Sequence, residues 1–276
     1  MKKFEGILIC TDLDGTLLMN DKSVSKENLE AIEYFKSEGG YFTFITGRLP
    51  YFVGSICETV RPNAPFGCSN GGAIYDAAKK EYVSTTELSL EAMELVKAVD
   101  EGVENIGIQV YTFDKIYFSR ENSAMEHFRA LTGMPNIVKA YDEVTEPVAK
   151  IVFGDFREEA IQRTKMILDT HEKTAKFDYI RSEKTLYEIL PKGVSKASVL
   201  PKLSEVLGVK PSHIIAVGDY NNDVAMIREA GVGIAVSNAT PEAKAVADYI
   251  TVSNEEHAIA KIISDIENGK IIFKED

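Results

Sequence analysis

Two carboxylates, Asp12 and Asp14, follow the apolar run Ile7 to Thr11 and precede Gly15. A short, partly β-branched run of this kind reads as a strand buried on both faces of a parallel sheet. Open parallel sheets bind ligands beyond the carboxyl ends of their strands, which is where these two residues stand. In extended chain, residues two apart point the same way, so both carboxylates can face one space. Carboxylates that close repel, and one stays protonated unless a cation shares them. A hard, oxygen-seeking cation such as Mg2+ resolves the conflict. The plainer reading is a strand followed by an Asx-rich turn, and the pentapeptide alone leaves both open. Asp219 and Asp223 follow a second buried run, Ile214 to Val217. Two strand ends can therefore deliver carboxylates to one cation. A cap on the following helix explains Asn222 and Asp223 equally well.

The stretch Asp12-Leu13-Asp14-Gly15-Thr16 resembles the first motif of the haloacid dehalogenase-like phosphohydrolases. Phe42 to Arg48 is similar to the second motif, an apolar strand ending in a hydroxyl. Lys192 to Lys196 is similar to the third, a lysine, and Val217 to Asp223 to the acidic fourth. Ser69 to Tyr75 and Gly231 to Ala239 resemble the Cof-type branch, whose sugar-phosphatase-like members carry a large α/β cap. These matches fall in the family's order between Glu5 and about residue 265.

The resemblance assigns chemistry to each position. Asp12 is the nucleophile, which splits hydrolysis into formation and breakdown of an aspartyl-phosphate. Asp14 is the acid for the leaving oxygen and then the base for water, with its backbone carbonyl rather than its side chain given to the metal. An aspartate there, instead of a threonine, favours a phosphatase over an ATP-driven pump. Thr46 gives its hydroxyl to a phosphate oxygen, although a β-branched strand end alone explains it, and Gly47 turns the backbone toward the site. Arg48 stands open between a substrate contact and an ion pair. Lys196 neutralises charge shared by Asp12 and the phosphate, an attraction of about 4 kcal/mol at ~4 Å in an effective dielectric of ~20. The metal set is Asp12, Asp14, Asp219 and Asp223. Asp219 is its direct ligand, and Asp223 binds directly, holds a metal-bound water or positions Lys196. Asn222 offers an amide to the phosphate or orients its neighbours. Mg2+, which keeps waters and takes few carboxylates, is the implied cofactor.

The elements that must position these groups are legible in outline. Ser25 can cap a helix reaching Glu38, with Leu29, Ile32 and Phe35 on one face. Tyr41 to Ile45 is a strand, Pro50 opens a helix to Thr59, and Asn70-Gly71-Gly72 is a turn. From Ser84 to Tyr187 the βα alternation gives way to mixed hairpins and helices. There, Ser89 to Val99 reads as a helix with Leu90, Met93, Leu95 and Val96 inward. Val199 to Leu207 has good helical spacing, but Pro201 interrupts it and would kink a helix interior unless the helix starts later than the pattern suggests. The expected fold is α/β: a doubly wound, Rossmann-like core of residues 1–83 and 188–276, with an inserted α/β cap of residues 84–187 that sets substrate specificity.

Composition narrows the function. A chain of 276 residues, 45% apolar and 27% charged, suits one large or two modest globular domains. A formal charge of −12 without any basic run argues against nucleic acid. Cys10, Cys57 and Cys68 lack metal-type spacing, and an odd count flanked mostly by apolar residues suggests free thiols in a reducing compartment. No apolar stretch approaches membrane length, so a cytoplasmic location and no membrane partner are expected. The four histidines share no metal spacing, and Gly231-x-Gly233 lacks the third glycine of a dinucleotide fingerprint. The reading is a Mg2+-dependent phosphatase of small phosphorylated metabolites. The alternatives are a phosphomutase or phosphotransferase acting on sugar phosphates, and a binding protein without turnover. Neither the particular substrate nor the oligomeric state is written in the sequence.

Overall fold

The computed structural model of the protein describes residues 2–273. Along the chain stand β1 (Leu8–Thr11), α1 (Lys26–Ser37), β2 (Tyr41–Phe44), α2 (Gly54–Val60), β3 (Phe66–Cys68), β4 (Ala73–Asp76) and β5 (Glu81–Thr85). Then come α3 (Ala92–Gly102), β6 (Gly107–Thr112), β7 (Ile116–Arg120), α4 (Ser123–Thr132), β8 (Val148–Gly154), α5 (Glu158–Thr170), β9 (Phe177–Glu183) and β10 (Leu186–Pro191). The last third holds α6 (Val199–Leu207), β11 (Ile214–Gly218), α7 (Val224–Glu229), β12 (Val232–Ala235), α8 (Pro241–Val246), β13 (Tyr249–Ile250) and α9 (Ala258–Glu267). Contacts divide the chain into two compact units. One comprises the residues up to 48, 53–84 and those from 195 on; the other comprises 49–52 and 85–194.

The first unit is built on a parallel sheet in the order β13-β12-β11-β1-β2. The chain steps one way from β1 to β2 and the other way from β11 to β13, so the order reverses between β1 and β11. Such a reversal opens a crevice beyond the strand ends. All of β1 is buried, as expected of a central strand covered on both faces. Leu8 and Cys10 meet Leu200, Leu203 and Met226 on one side. Ser25 caps α1 by accepting from the Asn28 amide (3.2 Å), a contact worth about 1 kcal/mol, and α1 packs on α9. A small antiparallel sheet, β3-β4-β5, joins the same unit through a bridge between Ile45 and Gly67.

The second unit is an antiparallel sheet in the order β7-β6-β8-β10-β9. Its helices α3 and α5 bury Val96, Val99, Ile161 and Leu168 against Ile108, Ile151 and Phe153. Within that sheet Lys150 and Glu188 form a buried ion pair at 2.8 Å.

Two details differ from the sequence expectation, and a third decides an alternative that the sequence left open. The chain stays in the second unit to Val194 rather than leaving after Tyr187, because β10 runs on to Pro191 and remains paired with β9 as far as Phe177. Leu90 is 55% exposed. Helix α3 begins only at Ala92, after a turn in which the Ala92 amide donates to Ser89. Pro201 does not break α6, which runs on to Leu207. Lys196–Ser198 forms a 3-10 turn and α6 starts at Val199, so the proline sits in the first helical turn, where an amide hydrogen has no intrahelical acceptor to lose. Among the described residues, no helix is long and apolar enough to cross a membrane.

Candidate active site

The crevice at the β1/β11 reversal holds the carboxylates. Asp12 leaves β1 with its amide bonded to the Val217 carbonyl of β11 (2.8 Å), so the two strand ends are locked side by side. Oxygens of Asp12, Asp219 and Asp223 lie within 4.8 Å of one another. Lys196 is fully enclosed, and its Nζ sits 2.7 Å from Asp12 Oδ1 and 2.6 Å from Asp223 Oδ1. The other Asp223 oxygen accepts from the Asp219 and Tyr220 amides (3.0 and 3.1 Å). Asp223 thus holds Lys196 with one oxygen and the loop with the other. Asp219 is pinned by the Thr16 hydroxyl, which donates to its Oδ1 at 2.8 Å. Gly15 has φ +79°, and a Cβ there would lie 2.5 Å from Asp219 Oδ2. Only glycine lets the turn after the first motif approach this closely.

Charge is unbalanced here: one ammonium faces three carboxylates. Burial pushes Asp12 well above the ordinary carboxylate range, and the charges of Asp223 and Asp219 add to it against the pull of Lys196. Burial and the Asp223 charge push Asp219 up to about 7. Lys196 stays firmly protonated, since Asp12 and Asp223 outweigh the burial that opposes its charge. Oxygen donors with a surplus of negative charge suit a divalent cation such as Mg2+.

A pH dependence follows. Asp12 and Asp219 have folded-state pKa values above their unfolded ones, so the folded protein holds protons that the unfolded chain releases. Their contribution to stability is complete below the ordinary carboxylate range and is lost as the pH rises through the folded-state values, which for Asp219 means toward about 7. In metal-free buffer the melting temperature should therefore fall between about pH 5.5 and 8, and added Mg2+ should raise it more at the upper end. Scanning calorimetry with and without chelator measures both; a Mg2+ increment independent of pH would place the cation away from these carboxylates.

The Asp14 side chain stands apart from this cluster. Arg48 grips it through Nε (2.9 Å) and Nη2 (2.7 Å), and Lys22 adds a contact at 2.9 Å. Burial would raise its pKa, but Arg48 first and then Lys22 hold it below the usual range. Of the two roles open to Arg48, the ion pair is the one present. Thr46 is buried at the end of β2, and its hydroxyl accepts from the Arg48 amide (3.2 Å). Gly47 lies against Asn70, whose Oδ1 accepts from Asn222 Nδ2 at 3.1 Å.

Sequence reasoning gave no role to Thr16, Lys22, Asn70 or Asn238. Asn238 donates to the Gly15 carbonyl (2.8 Å) and fixes that turn from the segment after β12. Thr16 and Asn70 lie inside stretches that carry the family resemblance, which is the signal that could have found them. Lys22 sits in an exposed polar turn and offers none.

Comparison with known proteins identifies the family. Residues 9–263 match the family described as haloacid dehalogenase-like hydrolase. The 5-amino-6-(5-phospho-D-ribitylamino)uracil phosphatase YwtE of Bacillus subtilis is 30% identical, over 95% of this chain and 98% of that protein. A second Bacillus subtilis phosphatase carrying the same substrate name, YitU, is 27% identical over 94% and 96%. The crystal structure of a haloacid dehalogenase-like hydrolase from Bacteroides thetaiotaomicron superposes with a TM-score of 0.82 at 28% identity, covering 95% of this chain and 99% of that one.

Proposed function

The chain belongs to the haloacid dehalogenase-like hydrolases, in the Cof-type branch, and is a phosphoric monoester hydrolase; from that premise we propose that it hydrolyses small phosphorylated metabolites, with sugar phosphates as the first class, by way of an aspartyl-phosphate on Asp12 and with Mg2+ as cofactor. The observation that carries this reading is the enclosed Lys196 bridging Asp12 and Asp223 at 2.7 and 2.6 Å beside Asp219. Such an arrangement keeps one carboxylate oxygen oriented beside a fixed positive charge, which is what an in-line attack on a phosphoryl group needs.

In the first step an Asp12 oxygen bonds to phosphorus, the ester bond breaks, and the leaving oxygen takes a proton from Asp14. In the second step water attacks the phosphorus of the acyl phosphate, Asp14 takes the water's proton, and the Asp12 carboxylate and inorganic phosphate are released. Arg48 and Lys22 keep Asp14 ionised, the state suited to that second step. The first step requires the pair to open and Asp14 to carry a proton, and Arg48 is then available to a substrate. Thr46, Gly47, Lys196 and Asn222 bind and orient the phosphoryl oxygens. Mg2+ would be held by Asp12, Asp219 and the Asp14 carbonyl, and would neutralise charge developing on the phosphoryl group. Asp223 acts as the anchor of Lys196. Choice among substrates is assigned to the second unit.

Asp219→Ala should raise the Mg2+ concentration that gives half-maximal thermal stabilisation by at least about tenfold, and an unchanged titration would remove Asp219 as ligand. The proposal itself is tested by a screen of phosphorylated metabolites with and without Mg2+, including the phosphoribitylamino-uracil named for YwtE and a generic aryl phosphate. Metal-dependent phosphate release from at least one of them is expected. Absence of release from all would overturn the proposal, and phosphoryl transfer to added sugar in place of water would favour the phosphotransferase.

A further inference from the structure

We propose that Asn70 is a positioning residue of the phosphate site, tying the loop of Thr46 and the loop of Lys196 to Asn222; the inference rests on the reading of those residues given above. Ser69, Asn70 and Gly71 have φ values of 52°, 55° and 96°, so three residues in succession occupy the left-handed region. Glycine enters that region freely and asparagine more readily than most, but serine costs about 1–2 kcal/mol there, which its surroundings must offset. Strain of this kind persists where neighbouring contacts over-determine the backbone.

The contacts below lead to phosphate-handling loops. The Asn70 amide donates to the Thr46 carbonyl (3.0 Å) and the Ser69 amide to the Arg48 carbonyl (3.1 Å). The end of β2 is therefore clamped from below by the strained turn. A Cβ on Gly71 would lie 2.0 Å from the Ser195 carbonyl oxygen, so the turn also presses against the backbone one residue before Lys196. Asn70 Oδ1 accepts one hydrogen of the Asn222 amide at 3.1 Å. A carboxamide nitrogen has two hydrogens, and the second one remains for a phosphoryl oxygen. A Cβ on Gly47 would meet the same Oδ1 at 3.1 Å. With 1% of its surface exposed, Asn70 is enclosed by these contacts. Asparagine is the side chain best suited to the post, because it tolerates the left-handed conformation and brings an acceptor with it.

Asn70→Gly removes the side chain and keeps the backbone. Its KM for p-nitrophenyl phosphate and the inhibition constant of inorganic phosphate should rise together by about tenfold or more, with a smaller change in kcat. Asn70→Ala should raise both by the same factor and lower the melting temperature in addition, since alanine resists φ 55°. On an Asn222→Ala background, Asn70→Gly should add little, as expected of two residues acting as one unit. A merely structural role would instead lower kcat at constant KM by reducing the active fraction. That result, an unchanged KM and inhibition constant, or full additivity with Asn222→Ala overturns the inference. If the parent neither hydrolyses the ester nor binds phosphate, the reading of the whole site falls and this one with it. If the parent does both and Asn70→Gly matches it, only this inference falls.

Discussion

Asp12→Asn is expected to end multiple turnover, a loss on the order of 10⁴-fold or more, in a protein that melts at or above the parent's temperature. The activity half follows from chemistry: an amide cannot form the acyl phosphate. The stability half follows from the charge count. Asp12, Asp219 and Asp223 crowd one ammonium, and the ionised Asp12 is unfavourable enough that its pKa lies well above the ordinary range. Asparagine fills the same volume without the charge, and Lys196 keeps Asp223 at 2.6 Å. In metal-free buffer at alkaline pH the variant should therefore gain stability over the parent, and the gain should shrink as the pH falls and the parent's Asp12 takes up its proton. Two measurements check this: initial rates on an aryl phosphate, and calorimetry across that pH range. Beryllofluoride should form no stable adduct with the variant. Sustained turnover by Asp12→Asn would remove Asp12 as nucleophile, and a lowered melting temperature at alkaline pH would mean that its charge stabilises the fold.

Much of this site could be read from one dimension because its chemistry is tied to strand ends. The run before Asp12 and the run before Asp219 are apolar and short, and in a parallel sheet both must finish on the same edge. That β1 and β11 are neighbours, some two hundred residues apart, came only through the motif resemblance; no local periodicity encodes it. The contacts of Asp223 were invisible for a different reason. They depend on which groups fold against it, and Lys196 and two backbone amides do so. Lys22 and Arg48 converge on Asp14 across a turn and a strand end; Arg48 was a candidate whose partner local sequence could not name, and Lys22, in an exposed polar turn, carries no signature at all. Leu90 misled because its spacing fits the helix, while the helix begins two residues later. Pro201 signalled a boundary: the α-helix starts just before it, behind a 3-10 turn that hydrophobic spacing does not distinguish from helix.

Lys196→Met should injure both stability and rate, in contrast to Asp12→Asn. Methionine matches the length of the lysine stem but leaves Asp12 and Asp223 in an enclosed space with no cation between them; the side chains are 9% and 0% exposed. Removing one partner of a buried ion pair costs about 3–5 kcal/mol, because the remaining charge is uncompensated. For a unit of this size that corresponds to a fall in melting temperature on the order of 10 °C. The sign of its pH dependence is fixed by the carboxylates left behind. Without the ammonium the folded pKa of Asp12 rises further, so the variant's deficit is greatest at alkaline pH and narrows as the pH falls and Asp12 binds its proton. Turnover should drop by about 10²–10³-fold, the usual cost of losing one fixed positive group aimed at developing charge. Lys196→Arg separates the two effects. It keeps the charge, but a planar guanidinium cannot occupy a closed position shaped for a point-like ammonium, so stability should recover in part while the rate does not. Added Mg2+ should narrow the stability deficit of Lys196→Met by supplying positive charge to Asp12, without restoring the rate. A Lys196→Met protein with the parent's melting temperature at about pH 8 would show that the buried carboxylates are neutralised by something other than this lysine, and the electrostatic account of the site would have to be rebuilt around that group.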